Sequence, residues 1–563
     1  MATQTMHIDR QTARSYASYE EKILARDQVG ASEVFYDLVR AGRSNEEILR
    51  ETIRIHAPYT HVPYHQRIDG GVVRFVNNDH CLLSARASLR LPSFVPEALR
   101  RLPLAQTVWY VPTGLDIWNQ LLGKMPGHYN RRGQKSHETG VASPEVHWEN
   151  RREPIRLDGS YEEGLNHWLT LVAQGQVMQS YGVFLGLFEE EARRPELLAQ
   201  LMFAGLIDVQ DRVLWNRSFT TGHKSYRARA TIELSQAVGW DQAADIIYAG
   251  VPDIAVGPRW YSSFEAACQI FMARLELEPP NSTLAPTTAS TRDRDLFAQQ
   301  QPLTKPEADA LVTALTRGYE SAYVEQVVQL LLAGRGPRQI LEAMQIAAAR
   351  LLLITGTADN FATSQHCAEY LNTLRWFYDH FEHPHRTKLL FVAGSFIIQT
   401  ALHLQNLPGN GGPVIGAPKD AESLSRDAVL RALDDALIGL DAPASVAWTR
   451  AYLDAGHERS PLVRTLGTAA AKLGNDPHNQ EIGLCLVEDY LHSSSPDREM
   501  LLLACAHHTA GHRKYGDPLE PYRRYADAFG IDATQWTVAD GDPVNVVLDE
   551  IQREDLADLP ARG

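Results

Sequence analysis

Two stretches of sequence decide the fold: EVFYDLVRAGRSNEEILRETIRIHA at 33–57 and EQVVQLLLAGRGPRQILEAMQIAAA at 325–349. They align without a gap and share eight of 25 residues, where chance would give about one or two. The identical pairs are Glu33/Glu325, Leu38/Leu330, Ala41/Ala333, Gly42/Gly334, Arg43/Arg335, Ile48/Ile340, Leu49/Leu341 and Ala57/Ala349. In each stretch, apolar residues at helical spacing lie on both sides of a glycine that can end a helix. The sequence therefore predicts a helix–turn–helix unit that occurs twice.

The parallel between the two parts of the chain continues downstream. His80-Cys81 precedes a Leu-Arg pair at 89–90, and His366-Cys367 precedes one at 374–375. We therefore predict an all-α fold, or nearly so, with two homologous helical halves that arose by duplication and face each other. Strand-like alternation is scarce and is confined to 71–76 and 107–111. The predicted organisation is a lead-in at 1–32, a first half at 33–275, a linker rich in Pro, Ser and Thr at 276–310, a second half at 311–540 and a tail at 541–563.

Composition excludes several classes of protein. The chain has 563 residues, more than one hydrophobic core usually serves, and it is 44% hydrophobic. Its 54 basic and 69 acidic residues give a net charge of -15 without a dense basic stripe, so no nucleic-acid partner is expected. The longest apolar run, 389–402, is too short and too polar to cross a membrane and predicts a buried helix. Five cysteines without a CxxC motif fit a reducing, cytoplasmic setting.

Histidines in the first half are the leading candidates for chemistry. His61 and His65 lie four residues apart in HAPYTHVPYH, with His56 just upstream. Imidazoles at this spacing can bind one metal ion or transfer protons, so His61, His65 and His80 are the candidate catalytic residues, and His56, His61 and His65 the candidate metal ligands. The alternative is a proline-rich helix end with histidines packed beneath it, because two prolines interrupt the segment.

A second histidine cluster comprises His507, His508 and His512. It is the alternative candidate for a metal site, against a helix C-terminus that favours cationic imidazole. A third group, in YDHFEHPHR at 378–386, is expected to be a solvated turn. A ferritin-like centre would need two Glu-x-x-His motifs on helices, and only Glu382-x-x-His385, interrupted by a proline, has this spacing.

The two His-Cys dipeptides have two interpretations. Each could be a reactive or metal-binding pair, or the cysteine could be a small buried packing residue inherited from one ancestral unit. Aromatic residues are concentrated in the first half, so Trp109, Tyr110 and Trp118 are the candidate walls of a ligand pocket there.

These features favour an enzyme that acts on a small organic molecule. The best hypothesis is an oxidoreductase with a histidine-lined pocket in or beside the first half, and a transition metal, iron or zinc, is the candidate cofactor. The alternative is a non-catalytic helical scaffold that binds a protein or small ligand between the halves. The sequence indicates no membrane partner and gives no oligomeric state.

Overall fold

The computed structural model describes most of the chain. The described residues are 10–59, 62–65, 73–76, 80–114, 129–130, 134–135, 153–209, 222–255, 263–275, 291–317, 319–356, 361–405, 416–418, 421–512 and 516–533. Helices dominate these ranges, as the sequence predicts.

Among the described residues, eleven α-helices precede residue 276. They are α1 (Arg10–Leu24), α2 (Gln28–Arg40), α3 (Asn45–His56), α4 (Cys81–Arg90), α5 (Leu102–Gly114), α6 (Tyr161–Ala173), α7 (Val177–Phe188), α8 (Arg194–Leu206), α9 (His223–Val238), α10 (Ala244–Gly250) and α11 (Ser263–Arg274).

Twelve more α-helices follow in the ranges that the structure describes. They are α12 (Thr291–Phe297), α13 (Lys305–Arg317), α14 (Glu320–Leu332), α15 (Pro337–Leu353), α16 (Phe361–His380), α17 (Leu389–Gln405), α18 (Arg426–Ile438), α19 (Ala442–Asp454), α20 (Arg459–Lys472), α21 (Pro477–His492), α22 (Glu499–Gly511) and α23 (Glu520–Phe529). Helices α12 and α13 begin inside the predicted linker, of which 276–290 lie outside the described residues.

In the part of the chain that the structure describes, the strands form two short antiparallel pairs. Strand β1 (Val62–His65) pairs with β2 (Val73–Val76), and β3 (Tyr129–Asn130) pairs with β4 (Gln134–Lys135). The candidate strand at 71–76 thus forms in part, whereas 107–111 lies within α5. The apolar run at 389–402 is a buried helix, α17, as predicted. In the described part of the chain, we find no helix with the length and hydropathy of a membrane span.

The two similar stretches form matching helix–turn–helix units. Helix α2 ends before Gly42 at φ +75°, and α14 ends before Gly334 at φ +84°. The amide after each glycine donates to a carbonyl five residues earlier, at 3.1 Å in the first unit and 2.9 Å in the second. These bonds satisfy carbonyls that a helix end leaves open. The predicted turn is confirmed in both units, while the duplication of whole halves stays a prediction.

A central bundle of four helices, α4, α9, α16 and α21, forms the middle of the molecule. Helix α4 packs against α9 and α21, and α16 packs against the same two helices. Almost every residue of α9 and α21 is buried, including many charged ones. Because a helix buried on all sides is normally apolar, these charges must be paired inside the bundle. Two of the four helices come from the first half of the chain and two from the second.

Candidate metal centre

Four buried histidines meet at one end of the central bundle, and each comes from a different helix. His80 directly precedes α4, His223 begins α9, His366 lies in the second turn of α16, and His478 is the second residue of α21. Neighbouring ring centroids are 4.5 to 5.1 Å apart around the circuit. The four residues are only 3% to 7% exposed. We call this group the four-histidine ring.

The nitrogen geometry of the ring fits a shared metal ion. The Nε2 atoms of His80 and His223 are 3.1 Å apart. Two imidazole nitrogens on one ion, each at about 2.1 Å, lie about 3.0 to 3.4 Å apart at right-angled or tetrahedral positions. Ligand atoms of His80, His223 and His478 all lie within 4.8 Å of one another. A single ion can therefore contact these three rings after small side-chain movements.

Two carboxylates hold ring histidines from behind. The Nδ1 atom of His366 is 2.9 Å from Oε2 of Glu369, and the Nδ1 atom of His478 is 2.8 Å from Oδ1 of Asp476. A carboxylate at Nδ1 fixes the tautomer with its proton there and leaves Nε2 as a lone-pair donor, which is the usual arrangement behind metal-binding histidines. The Nε2 atom of His478 is buried and has no hydrogen-bond partner.

The spacing His-x-x-Glu occurs only twice in the sequence, and both examples lie at this site. Residues three apart on a helix share a face, so Glu369 follows His366 on α16 and Glu481 follows His478 on α21. Both glutamates are buried, and Oε1 of Glu369 and Oε2 of Glu481 have no hydrogen-bond partner. The signal for the site in the sequence is therefore the order His-x-x-Glu, not the Glu-x-x-His order of a ferritin-like centre.

The carboxyl groups at the site differ in protonation. Burial raises the pKa of Glu369, and the neighbouring Glu481 raises it further. Burial also raises the pKa of Glu481. Burial opposes ionisation of Asp476 as well, but contacts with His478 and His512 outweigh it and hold the pKa of Asp476 well below its usual range. At neutral pH, Asp476 is therefore ionised, whereas burial favours the neutral form of both glutamates.

A layer of buried ion pairs lies deeper in the bundle and joins the four helices. Its members are Arg86 on α4, Arg229 and Glu233 on α9, Arg375 on α16, and Glu488 and Asp489 on α21. The closest contacts join Arg86 to Glu233 at 2.6 Å and Arg375 to Asp489 at 2.9 Å. Three guanidinium groups face three carboxyl groups, so this layer pairs its own charges. It fixes the helices that position the ring.

The candidate site residues of the first half do not all lie at the four-histidine ring. His80 is a member of the ring, and the hydroxyl of Tyr110 lies 3.3 Å from its backbone nitrogen. Trp109 is half-buried, and the Cζ atom of Arg524 lies 5.9 Å from the centroid of the Trp109 indole ring. His56 is buried at the end of α3. His61, Trp118 and the side chain of His65 lie outside the described residues, so their predicted roles stay predictions.

The second histidine cluster lies behind the four-histidine ring. Nε2 of His508 is 3.1 Å from the backbone carbonyl of His478, and Nε2 of His512 is 3.5 Å from Oδ2 of Asp476. Nε2 of His507 is instead 2.9 Å from the carbonyl of Thr355. These three histidines contact different partners. His512 also forms a second group with Asp476 and His478, whose ligand atoms all lie within 4.8 Å of one another and could hold a metal ion.

The other histidine and cysteine predictions have clearer outcomes. The turn in YDHFEHPHR was expected to be solvated, but His385 is only 2% exposed and His383 stacks on Phe203 with centroids 4.1 Å apart. That expectation is wrong, because apolar packing covers the turn. Both cysteines of the His-Cys dipeptides are buried, and burial raises the pKa of Cys367 to about 12. This favours the packing interpretation for the cysteines, whereas their neighbouring histidines enter the ring.

No family model, curated protein or solved structure matches this chain. The geometry of the four-histidine ring is therefore the basis for a function.

Proposed function

We propose that this protein is a metal-dependent enzyme that acts on a small organic molecule, with the metal held by His80, His223, His366 and His478. The supporting observation is the convergence of four buried imidazoles, two of them held at Nδ1 by carboxylates. Packing alone gives little reason to gather four polar rings in a buried space, because each must find a polar partner there. A metal ion would satisfy the Nε2 atom of His478, which has no hydrogen-bond partner, and could be shared with His80 and His223, whose ligand atoms lie within 4.8 Å of one another.

The ligand set favours an oxidoreductase. Neutral imidazole suits iron, copper and zinc, and iron and copper can change oxidation state. The small exposed fraction of the ring histidines supports a substrate of small size. Tyr110, close to the backbone of His80, is a candidate pocket wall. The five free thiols support the further proposal of a reducing, cytoplasmic setting.

Metal analysis of protein purified without a His tag tests this proposal. We expect stoichiometric iron or copper, and at least a tenfold loss of metal in the His80→Ala/His223→Ala variant. The matched control is His507→Ala, which removes another buried histidine that contacts Thr355 and lies outside the ring. Unfolding midpoints show whether each variant remains folded.

Other outcomes contradict parts of the proposal. Zinc alone would argue against oxidoreduction while keeping a metal site. Metal-free protein would contradict the metalloenzyme and favour the helical scaffold that binds a ligand without catalysis. Loss of metal in the His61→Ala/His65→Ala variant, with metal retained in His80→Ala/His223→Ala, would favour a metal site at His61 and His65 instead.

We also propose that the two halves are copies of one ancestral unit. The matching glycine turns support it, as do the places of His80 and His366 in the ring. Each half also supplies a ring histidine followed ten residues later by a buried glutamate: His223 and Glu233, and His478 and Glu488. Under this proposal each half contributes two of the four central helices, so metal binding requires both halves.

A further inference from the structure

A second group of buried side chains that can hold a metal ion lies next to the four-histidine ring. The group comprises Asp476, His478 and His512, whose ligand atoms all lie within 4.8 Å of one another, and each residue is at most 7% exposed. Asp476 caps the start of α21, and His512 directly follows α22. The group shares only His478 with the four-histidine ring, and Asp476 contacts this histidine at Nδ1. It is therefore a candidate site on the Nδ1 side of His478.

The buried carboxylate of Asp476 has no permanently charged partner among the described residues. Its ion-pair contacts there are with two imidazoles: Oδ1 lies 2.8 Å from Nδ1 of His478, and Oδ2 lies 3.5 Å from Nε2 of His512. None of the described lysines or arginines lies within ion-pair distance of Asp476, and Oδ2 has no hydrogen-bond partner. Because buried charges are normally paired or coordinate a metal, a cation between Asp476 and His512 would complete this group.

The spacing of the donor atoms agrees with a single ion in this group. Two donors bound at about 2.1 Å to one ion lie about 3.0 to 3.4 Å apart at right-angled or tetrahedral positions, close to the 3.5 Å between His512 and Asp476. Nδ1 of His478 and Oδ1 of Asp476 are closer, at 2.8 Å, because a hydrogen bond joins them. The carboxylate must therefore turn as an ion takes the place of the shared proton. Imidazole and carboxylate are both ligands of zinc, and imidazole also suits copper and iron.

We infer that Asp476, His478 and His512 bind a second metal ion, and that His478 connects it to the ion of the four-histidine ring. Nε2 of His478 binds the first ion and Nδ1 binds the second, so the side chain bridges the two ions as an imidazolate. The Nδ1 proton leaves to the solvent when the second ion binds, since a ligand nitrogen must offer a lone pair. This inference rests on the proposed function, because it assumes that the four-histidine ring binds metal.

Titration of the metal-free full-length chain with Cu²⁺ tests the inference, in a buffer with a weak competing chelator that removes ions from exposed histidines. We expect two ions per chain by equilibrium dialysis, and a strongly reduced electron paramagnetic resonance signal because an imidazolate bridge couples the two unpaired spins. The His512→Ala variant should bind the second ion at least about tenfold more weakly, and its remaining ion should give the signal of isolated Cu²⁺. The matched control is His507→Ala, which removes a buried histidine that contacts Thr355 and should behave like the wild type.

The outcomes separate this inference from the proposed function. One ion per wild-type chain, lost in His80→Ala/His223→Ala, would overturn the second site and leave a metal-binding ring. One ion that is lost in His512→Ala but kept in His80→Ala/His223→Ala would overturn the ring site instead. Two ions with an uncoupled signal would overturn the bridging role of His478, and a coupled pair that persists in His512→Ala would overturn the role of His512.

No bound metal in the wild type would overturn both proposals. The number of ions and their coupling are measured on wild-type protein, so they decide the question even if a variant does not fold.

Discussion

Replacement of Glu488 by glutamine should destabilise the bundle strongly, because this carboxylate faces several cations in the ion-pair layer. Its two oxygens each lie 3.1 Å from Arg86, and one also lies 3.1 Å from Arg229. Glutamine would remove the charge and turn an amide donor towards guanidinium donors. The arginines would then be left with an uncompensated positive charge in a buried space.

The size of the effect follows from the carboxylate's environment. Burial would raise the pKa of Glu488, but the nearby arginines outweigh it and lower the pKa from 4.5 to about 2. A folded-state pKa below the unfolded value stabilises the protein above the unfolded pKa, and this stability is lost as pH falls from about 4.5 to 2. At neutral pH the full contribution is present, about 3 kcal/mol, which agrees with the range of about 3 to 5 kcal/mol for breaking a buried pair.

Urea unfolding at neutral pH, followed by circular dichroism, measures this change. Glu488→Gln should lower the free energy of unfolding by about 3 kcal/mol. The matched control is Glu325→Gln, which breaks an exposed pair with Arg274 and should cost less than about 1 kcal/mol. Equal effects of the two substitutions would refute the reasoning, because burial would then make no difference. We also expect weaker metal binding in Glu488→Gln, since the layer joins the helices that carry the ring.

Two further predictions concern buried histidine and the two halves. Burial, with smaller contributions from nearby cations, lowers the pKa of His383 from 6.5 to about 3, so the unfolded state gains a proton first and stability should fall as pH drops below about 6.5. The loss of unfolding free energy should reach about 1 kcal/mol at about pH 5.5. His383→Gln should remove this part of the pH dependence, measured by urea unfolding. An unchanged slope of unfolding free energy against pH would show that His383 is not its source. A chain cleaved within 276–290 should remain a two-fragment complex that binds metal, while neither fragment expressed alone should do so; binding by one fragment would show that a single half forms the site.

Local features of the fold could be predicted from the sequence. Gly42 and Gly334 mark the ends of two helices because a left-handed residue is needed there, and both turns form as expected. The apolar run at 389–402 forms a buried helix, α17, as predicted, because it is apolar enough to be buried but too short and too polar to cross a membrane. Such features depend on neighbouring residues in the chain, so periodicity and turn chemistry are sufficient to predict them.

The site could be predicted only in part. The two His-Cys dipeptides pointed to His80 and His366, and the His-x-x-Glu spacing was available for His366 and His478. His223 carries no such local signal, because it joins the ring through the packing of α9 against α4 and α16. HxxxH spacing instead predicts a site at His61 and His65, and another at a C-terminal cluster whose members contact different partners. Convergence of side chains from four helices is a tertiary property that spacing along one helix does not contain.

X-ray absorption spectroscopy of the metal-loaded, untagged protein is the most direct test of the central claim. The account predicts a nitrogen shell at about 2.1 Å with the scattering pattern of imidazole, and its loss in the His80→Ala/His223→Ala variant. A shell of oxygen neighbours alone, or a spectrum unchanged in that variant, would contradict a metal centre at the four-histidine ring.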